Sequence, residues 1–392
     1  MNRVFFCIIA GLCSLSFGCQ KESDNSNERS PKNVGNQSPL RIGFSGPITG
    51  KQADYGKSVS QGARLRVEEI NAEGGIGGRK VELVIGDDEA SPTQAVTVAQ
   101  EFASTPDILA VLGHFNSSCS NAAKPIYRAA KLPQLSYGST NDDVTEGTEW
   151  TFRTPYKNSL QGRTLARFTK SELKAMRVGI ITENDAYGKS LAEEFKSEAA
   201  KLGLSLDAVE SFDQEATDFR PILIKIKPLN LDVILLAGFY PQIQALVKQA
   251  RETGINSIFV AGDGVGSSTE FIKNAGEAAE GTYCTGPFLI EQNSDAIAKF
   301  RKSYTRRFGS IPDSWAVYSY DAVGIICQAI KSGAHDRESI RAYLASMTTP
   351  EKGYQGLIGP IYFDSNRDAV NKDVTIAVVK GGRYEVVEWR GE

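Results

Sequence analysis

The sequence predicts an α/β protein built from two successive doubly wound units with parallel sheets. Three observations carry that expectation. Short apolar runs alternate with amphipathic stretches of helical period along most of the chain. The alternation lapses in a stretch rich in Thr, Asn and Asp that ends at "TFRTPY", Thr151 to Tyr156, and then restarts. Finally, the roughly 350 residues beyond the polar N-terminal segment exceed what one hydrophobic core usually organises.

The first unit opens with the strand "LRIGFSG", Leu40 to Gly46, followed by a helix from about Ser58 to Ala72. Next come "KVELVIGDD", a helix through "TQAVTVAQEFA", the strand "ILAVLGH", a helix after Ser120 and the strand "LPQLSYG". The second unit has a helix near Gly162 to Leu173, "RVGIITEN", a helix from Ser190 to Leu202 and "LSLDAVESFD". It continues with a helix near Ile222, "DVILLAGF", a helix through "QIQALVKQARETG", and "SIFVAGDG". The last third breaks the rhythm. Helices at Ile297 to Phe308, Trp315 to Lys331 and Arg337 to Met347 run without intervening strands, which implies a return to complete the first unit. Strands "GPIYFD" and "VTIAVVK" and a Gly381-Gly382 hairpin into "RYEVVEW" then close on the second.

The N-terminus reads as an export signal. Arg3 precedes an apolar run from Val4 to Phe17, about fourteen residues, which suits a secretory signal better than a bilayer span. Gly18 and Cys19 close that run, and the polar segment Gln20 to Pro39 has almost nothing to bury. This pattern resembles a bacterial lipoprotein with a lipid-bearing Cys19, although Ser16 stands where a lipobox prefers Leu. The alternative is ordinary cleavage into the periplasm.

Composition excludes several classes. A net charge of −3 offers no basic surface for nucleic acid. Of six cysteines, only Cys119, Cys284 and Cys327 lie beyond Cys19, so neither a disulfide framework nor a zinc site is expected; a single bridge among the three is left open. The two histidines, His114 and His335, are far apart and have no triad context. "GDGVGS" lacks the spacing of a phosphate loop, and Asp87-Asp88-Glu89 reads as a solvated loop. No cofactor, metal or catalytic arrangement is expected.

Ligands of open α/β sheets bind beyond the carboxyl ends of the strands. Those ends carry Ser45-Gly46-Pro47, Gly113 to Ser118, Tyr137 to Thr140, Asn184 to Gly188, Gly238 to Tyr240 and Gly262 to Gly264. Small residues open space there, and hydroxyls and backbone N–H groups at Ser117, Ser139 and Thr140 suit a carboxylate. Asp263 would accept from an ammonium, while Tyr55, Phe115, Tyr187, Phe239 and Tyr240 could form a side-chain pocket. The combination fits a zwitterionic amino acid. Taken singly, each residue has a plainer reading as cap, turn or core.

The stretch "INAEGGIGGRKVELVIGDDEASPTQAV", Ile70 to Val96, resembles the leucine/isoleucine/valine-binding proteins, type I periplasmic binding proteins that serve ABC transporters. The resemblance runs from about Leu40 to the C-terminus through "DYGKSVSQGA", "VLGHFNSS", "AYGKSLAEEF", "VAGDGVG" and "NAGEAAEGT". It implies two Rossmann-like lobes joined by a three-strand hinge that closes on the ligand. The implied division is 1–18 signal, 19–39 tether, 40–156 plus 286–372 lobe 1, and 157–285 plus 373–392 lobe 2.

By the same resemblance the carboxylate falls on Ser117, Gly138 and Thr140, the ammonium on Asp263, and the pocket aromatics on Tyr55, Tyr187 and Phe239. The hydroxyl cluster from Ser117 would cap its helix as well as receive the carboxylate. Asp263 is shorter than the family's usual Glu. Ala90 and Asn116 stand where leucine-type members carry a cysteine pair, and Asn116 adds a polar group at the pocket's border. The implied function is capture of an amino acid, branched-chain or otherwise apolar, for an ABC permease, by a monomer held at the membrane only by its lipid. A sensor of amides or urea on the same fold is the competing reading, and an enzyme is the weakest.

Overall fold

The computed structural model describes residues 38–266, 268–286, 294–370, 372–389 and 391. The signal, Cys19 and the tether up to Gln37 lie outside the described residues. The first lobe begins with β1 (Leu40–Gly46), α1 (Ala53–Ala72), β2 (Val81–Asp87), α2 (Pro92–Ser104) and β3 (Ile108–Leu112). It continues with α3 (Ser117–Ala129), β4 (Gln134–Ser136) and β5 (Thr151–Arg153). These strands form a parallel sheet in the order β2-β1-β3-β4-β5.

The second lobe follows with α4 (Asn158–Ser171), β6 (Arg177–Glu183), α5 (Ala186–Lys201), β7 (Ser205–Phe212), α6 (Arg220–Ile226), β8 (Val233–Ala237) and α7 (Tyr240–Glu252). Then come β9 (Ile258–Ala261), α8 (Thr269–Ala275) and β10 (Tyr283–Gly286). Its parallel strands run β7-β6-β8-β9-β10, the same order as in the first lobe.

Burial explains the order. β3 and β8, "ILAVL" and "VILLA", are apolar runs buried along nearly their whole length, as strands covered on both faces must be. β7 is exposed or partly exposed until Phe212, as befits an edge.

The remaining elements are α9 (Asp295–Phe308), α10 (Ser314–Lys331), α11 (Arg337–Ser346), β11 (Tyr354–Gly356), β12 (Gly359–Ile361), β13 (Thr375–Lys380) and β14 (Arg383–Val386). α10 is apolar nearly all round and packs on α1, while α11 packs against β3. Arg337 at the start of α11 donates to the Phe102, Ala103, Thr105, Ile108 and Ala130 carbonyls, filling the open C-terminal ends of α2 and α3. β13 and β14 add antiparallel strands to the second sheet. Their turn, Gly381-Gly382, has φ of 58° and 73°, the paired positive values a two-residue hairpin needs.

Four elements escaped the periodicity of the sequence. β5, β10, α8 and β11 have three, four, seven and three residues, too few to show a period. α1 starts at Ala53 rather than Ser58, because Gln52 precedes it without a side-chain cap that would mark the boundary. The strand read in "GPIYFD" is β12, paired antiparallel with β11 in a separate hairpin.

The chain crosses between the sheets at residues 154–157 and again between Asp368 and Thr375. At the first crossing Arg153, wholly buried, is held by Asp368 Oδ1 at 2.5 Å and by the Asn141 and Asp142 carbonyls. Lys157 reaches the other Asp368 oxygen at 3.2 Å. Two crossings are thereby tied by one buried ion pair. Asp368→Ala would strand a buried guanidinium and should lower unfolding free energy by about 3–5 kcal/mol in denaturant titrations. Wild-type stability in that variant would remove the pair from any role in holding the crossings.

Candidate functional site

The order 2-1-3-4-5 reverses direction between the first and third strands of each lobe, and ligands of such sheets collect beyond that switch point. In the first lobe it brings together the ends of β1 and β3. In the second it brings together the ends of β6 and β8. The sequence-predicted binding residues lie on the loops that leave those strands and their neighbours and on the first turns of the helices that follow, and all are buried.

On the first lobe α3 begins at Ser117, and its N-cap, Asn116, makes no side-chain cap bond. The expected hydroxyl cap is therefore not formed: Ser117 Oγ accepts from the Asn141 N–H at 3.2 Å instead. The first turn of this thirteen-residue helix is left without a side-chain cap beside Ser117. Thr140 Oγ1 is buried without a hydrogen-bond partner.

Ser139 behaves differently. Its hydroxyl is engaged by Ser120 Oγ at 2.8 Å and by the His114 and Phe115 carbonyls at 3.1 Å. Gly138 passes so close to Phe115 that a Cβ would lie 2.5 Å from its ring, so only glycine keeps this approach. Asn116 turns its amide to Gln52, Nδ2 to Oε1 at 2.8 Å. Ala90 is buried, and Cys119, Cys284 and Cys327 are all buried free thiols.

On the second lobe Asp263 is 1% exposed. Its Oδ1 accepts from Gln161 Nε2 at 3.2 Å, its N–H donates to Gln161 Oε1 at 2.7 Å, and its Oδ2 has no partner. Burial pushes its carboxyl up to about 6, with Tyr187 and Gln161 holding it down. It is therefore ionised at neutral pH. Glu183, the other carboxyl on this wall, accepts from the Phe239 N–H at 3.0 Å. Burial and the nearby Asp185 push its carboxyl up.

Aromatic rings run from one lobe to the other. Tyr187 and Phe239 lie 4.9 Å apart, Phe239 and Tyr55 5.8 Å, Tyr55 and Phe115 4.9 Å, Phe115 and Trp315 5.1 Å, and Trp315 and Tyr318 6.1 Å between centroids. Tyr318 and Tyr187 both feel the charge of Asp263. Tyr55 Oη donates to the Gly264 carbonyl and accepts from the Tyr240 N–H. The Ala186 N–H donates to Ser118 Oγ at 3.0 Å, and Asn141 Nδ2 donates to the Ala186 carbonyl at 3.0 Å. The lobes thus meet directly.

One further sequence reading changes. Asp88 is not in a solvated loop: it is wholly buried, taking bonds from Ser45 Oγ at 3.2 Å and the Ala90 N–H at 3.0 Å, with His114 Nδ1 at 2.7 Å. His114 Nε2 meets Tyr127 Oη at 3.0 Å, so a buried polar network underlies the loop that carries Phe115 and Ser117. Sequence reasoning also missed Gln52, Tyr156, Gln161, Trp315 and Tyr318. The spacing of Trp315 and Tyr318, three apart on one helix face, was the available signal. Among the described residues no cluster of metal-ligating side chains is present and no helix is long and apolar enough to cross a membrane.

Comparisons with known proteins agree with this fold. The profile of the family described as "Periplasmic binding protein" matches residues 39–383. "Leu/Ile/Val-binding protein homolog 1" of Brucella suis is 31% identical over 333 residues, 83% of this chain and 86% of that protein. The substrate-binding protein of a Streptococcus pneumoniae branched-chain amino acid transporter, solved with isoleucine, superposes with a TM-score of 0.82 at 30% identity, covering 89% of this chain and 99% of that one. A leucine-binding protein of Thermotoga maritima gives a TM-score of 0.81 at 29% identity over 89% of this chain and 97% of that one. With two like-ordered parallel sheets facing each other across a buried site and a family match along nearly the whole described chain, this protein belongs to the periplasmic binding protein family.

Proposed function

We propose that this protein is an extracytoplasmic receptor that closes its two lobes on an α-amino acid and delivers it to the permease of an ABC transporter. The observation that carries the reading is the unpaired Oδ2 of a buried, ionised Asp263. A buried carboxylate is costly without a counter-charge, and an α-ammonium supplies one. The open start of α3 with Ser117, the Gly138 backbone and Thr140 Oγ1 form the complementary seat for the carboxylate. Ser139, engaged elsewhere, supports that seat from behind. Tyr55, Phe115, Tyr187 and Phe239 enclose the side chain with Asn116 at its border, and relatives named for leucine, isoleucine and valine make branched side chains the first class to test.

Closure follows from the division of the site. Each lobe holds one pole of the zwitterion, so only the closed form satisfies both, and ligand draws the population toward it through that difference in affinity. The lobe boundaries of this reading are 40–156 plus 286–372 and 157–285 plus 373–392. Export by the N-terminal signal, a lipid on Cys19 and action as a monomer belong to the same proposal.

Calorimetric titration with single amino acids tests the assignment. Asp263→Ala should weaken binding by roughly 2–5 kcal/mol, the cost of removing one partner of a buried charge pair. Unchanged affinity would place the ammonium elsewhere, and stabilisation by amides or urea alone would replace the zwitterion reading with the sensor. The pH dependence has a definite sign. The ammonium pairs with the ionised carboxylate, so affinity should be level at neutral pH and fall as pH drops through about 6. Asp263→Asn should lose that fall; a wild-type profile level through this range would contradict the ion pair.

A further inference from the structure

The rings of Phe115 and Phe239 pack on Tyr55 and lie 6.2 Å from one another. Trp315 lies 5.1 Å from Phe115 and 6.1 Å from Tyr318 between centroids, and Tyr318 feels the charge of Asp263. Trp315 is 2% exposed and Tyr318 1% exposed, yet neither Trp315 Nε1 nor Tyr318 Oη has a hydrogen-bond partner.

Their chemistry restricts what can satisfy them. An indole N–H only donates, so it cannot serve an ammonium; it needs an oxygen. The ligand carboxylate is already provided for on the opposite loops, at Ser117, Gly138 and Thr140. A phenol both donates and accepts. A side-chain hydroxyl between them would accept from Nε1 and donate to Oη, satisfying both groups at once. A methyl in that place would leave the indole N–H buried and unpaired.

We infer that Trp315 and Tyr318 are specificity-determining residues that recognise a hydroxyl on the ligand's side chain, so that threonine is held in preference to its isostere valine. The inference rests on the amino-acid reading above and narrows its side-chain subsite. A site built to bond a hydroxyl discriminates against the analogue that lacks it more sharply than an apolar site discriminates by size.

Calorimetric titration of the mature protein with threonine, valine and leucine tests it, alongside Trp315→Phe and Tyr318→Phe, which keep a ring in place. Threonine should bind several-fold more tightly than valine, up to about tenfold, the range that one net hydrogen bond supplies. Either variant should bring that ratio toward one. Valine binding as tightly as threonine would overturn the inference and leave the amino-acid reading standing. So would Trp315→Phe weakening both ligands alike, since the indole would then meet the carboxylate. Binding of none of the amino acids would overturn the amino-acid reading and this inference with it.

Discussion

A carboxylate taken out of water must be given donors or a counter-charge, and the fold gives Asp263 only part of what it needs. Gln161 donates to one oxygen, and Tyr187 and Gln161 both hold the carboxyl's pKa down. The other oxygen is buried with nothing to bond. Much of the surrounding structure follows from holding that group where no cation among the described residues pairs with it. The loop after β9 presents it, α4 supplies Gln161, and aromatic rings from both lobes shut out the water that would otherwise solvate it. In this account the missing partner is the ligand.

The two lobes solve the same geometric problem twice. Each has a parallel sheet in one strand order and directs its switch point at the other. On the proposed reading a zwitterion would be divided between them, with donors on the first lobe and the acceptor on the second. A binding site split in this way makes closure a consequence of ligand charge distribution. The crossings must keep the two edges in register while allowing them to part. The buried Arg153–Asp368 pair fixes where two of those crossings lie side by side.

Much of this was legible in the sequence because parallel strands buried on both faces leave continuous apolar runs, as "ILAVL" and "VILLA" do. Strand ends then pointed to Ser117, Thr140, Tyr187 and Asp263 without any contact being known. Other features left no local trace. Ser139 and Thr140 are neighbours of similar chemistry, and only tertiary packing decides that one hydroxyl is bonded and the other left open. Asp88 looked solvated because its partner His114 is distant in sequence. Trp315 and Tyr318 reach the site from a helix more than fifty residues beyond Asp263, a juxtaposition set by the return of the chain and not by any motif.

The most direct test is a crystal structure of the mature protein with the amino acid it binds most tightly. The account predicts the α-nitrogen within hydrogen-bond distance, about 2.7–3.2 Å, of Asp263 Oδ2, with the carboxylate against Ser117 and Thr140 at the start of α3. An amino acid bound between the lobes with its nitrogen remote from Asp263, or with the carboxylate and ammonium exchanged, would contradict it.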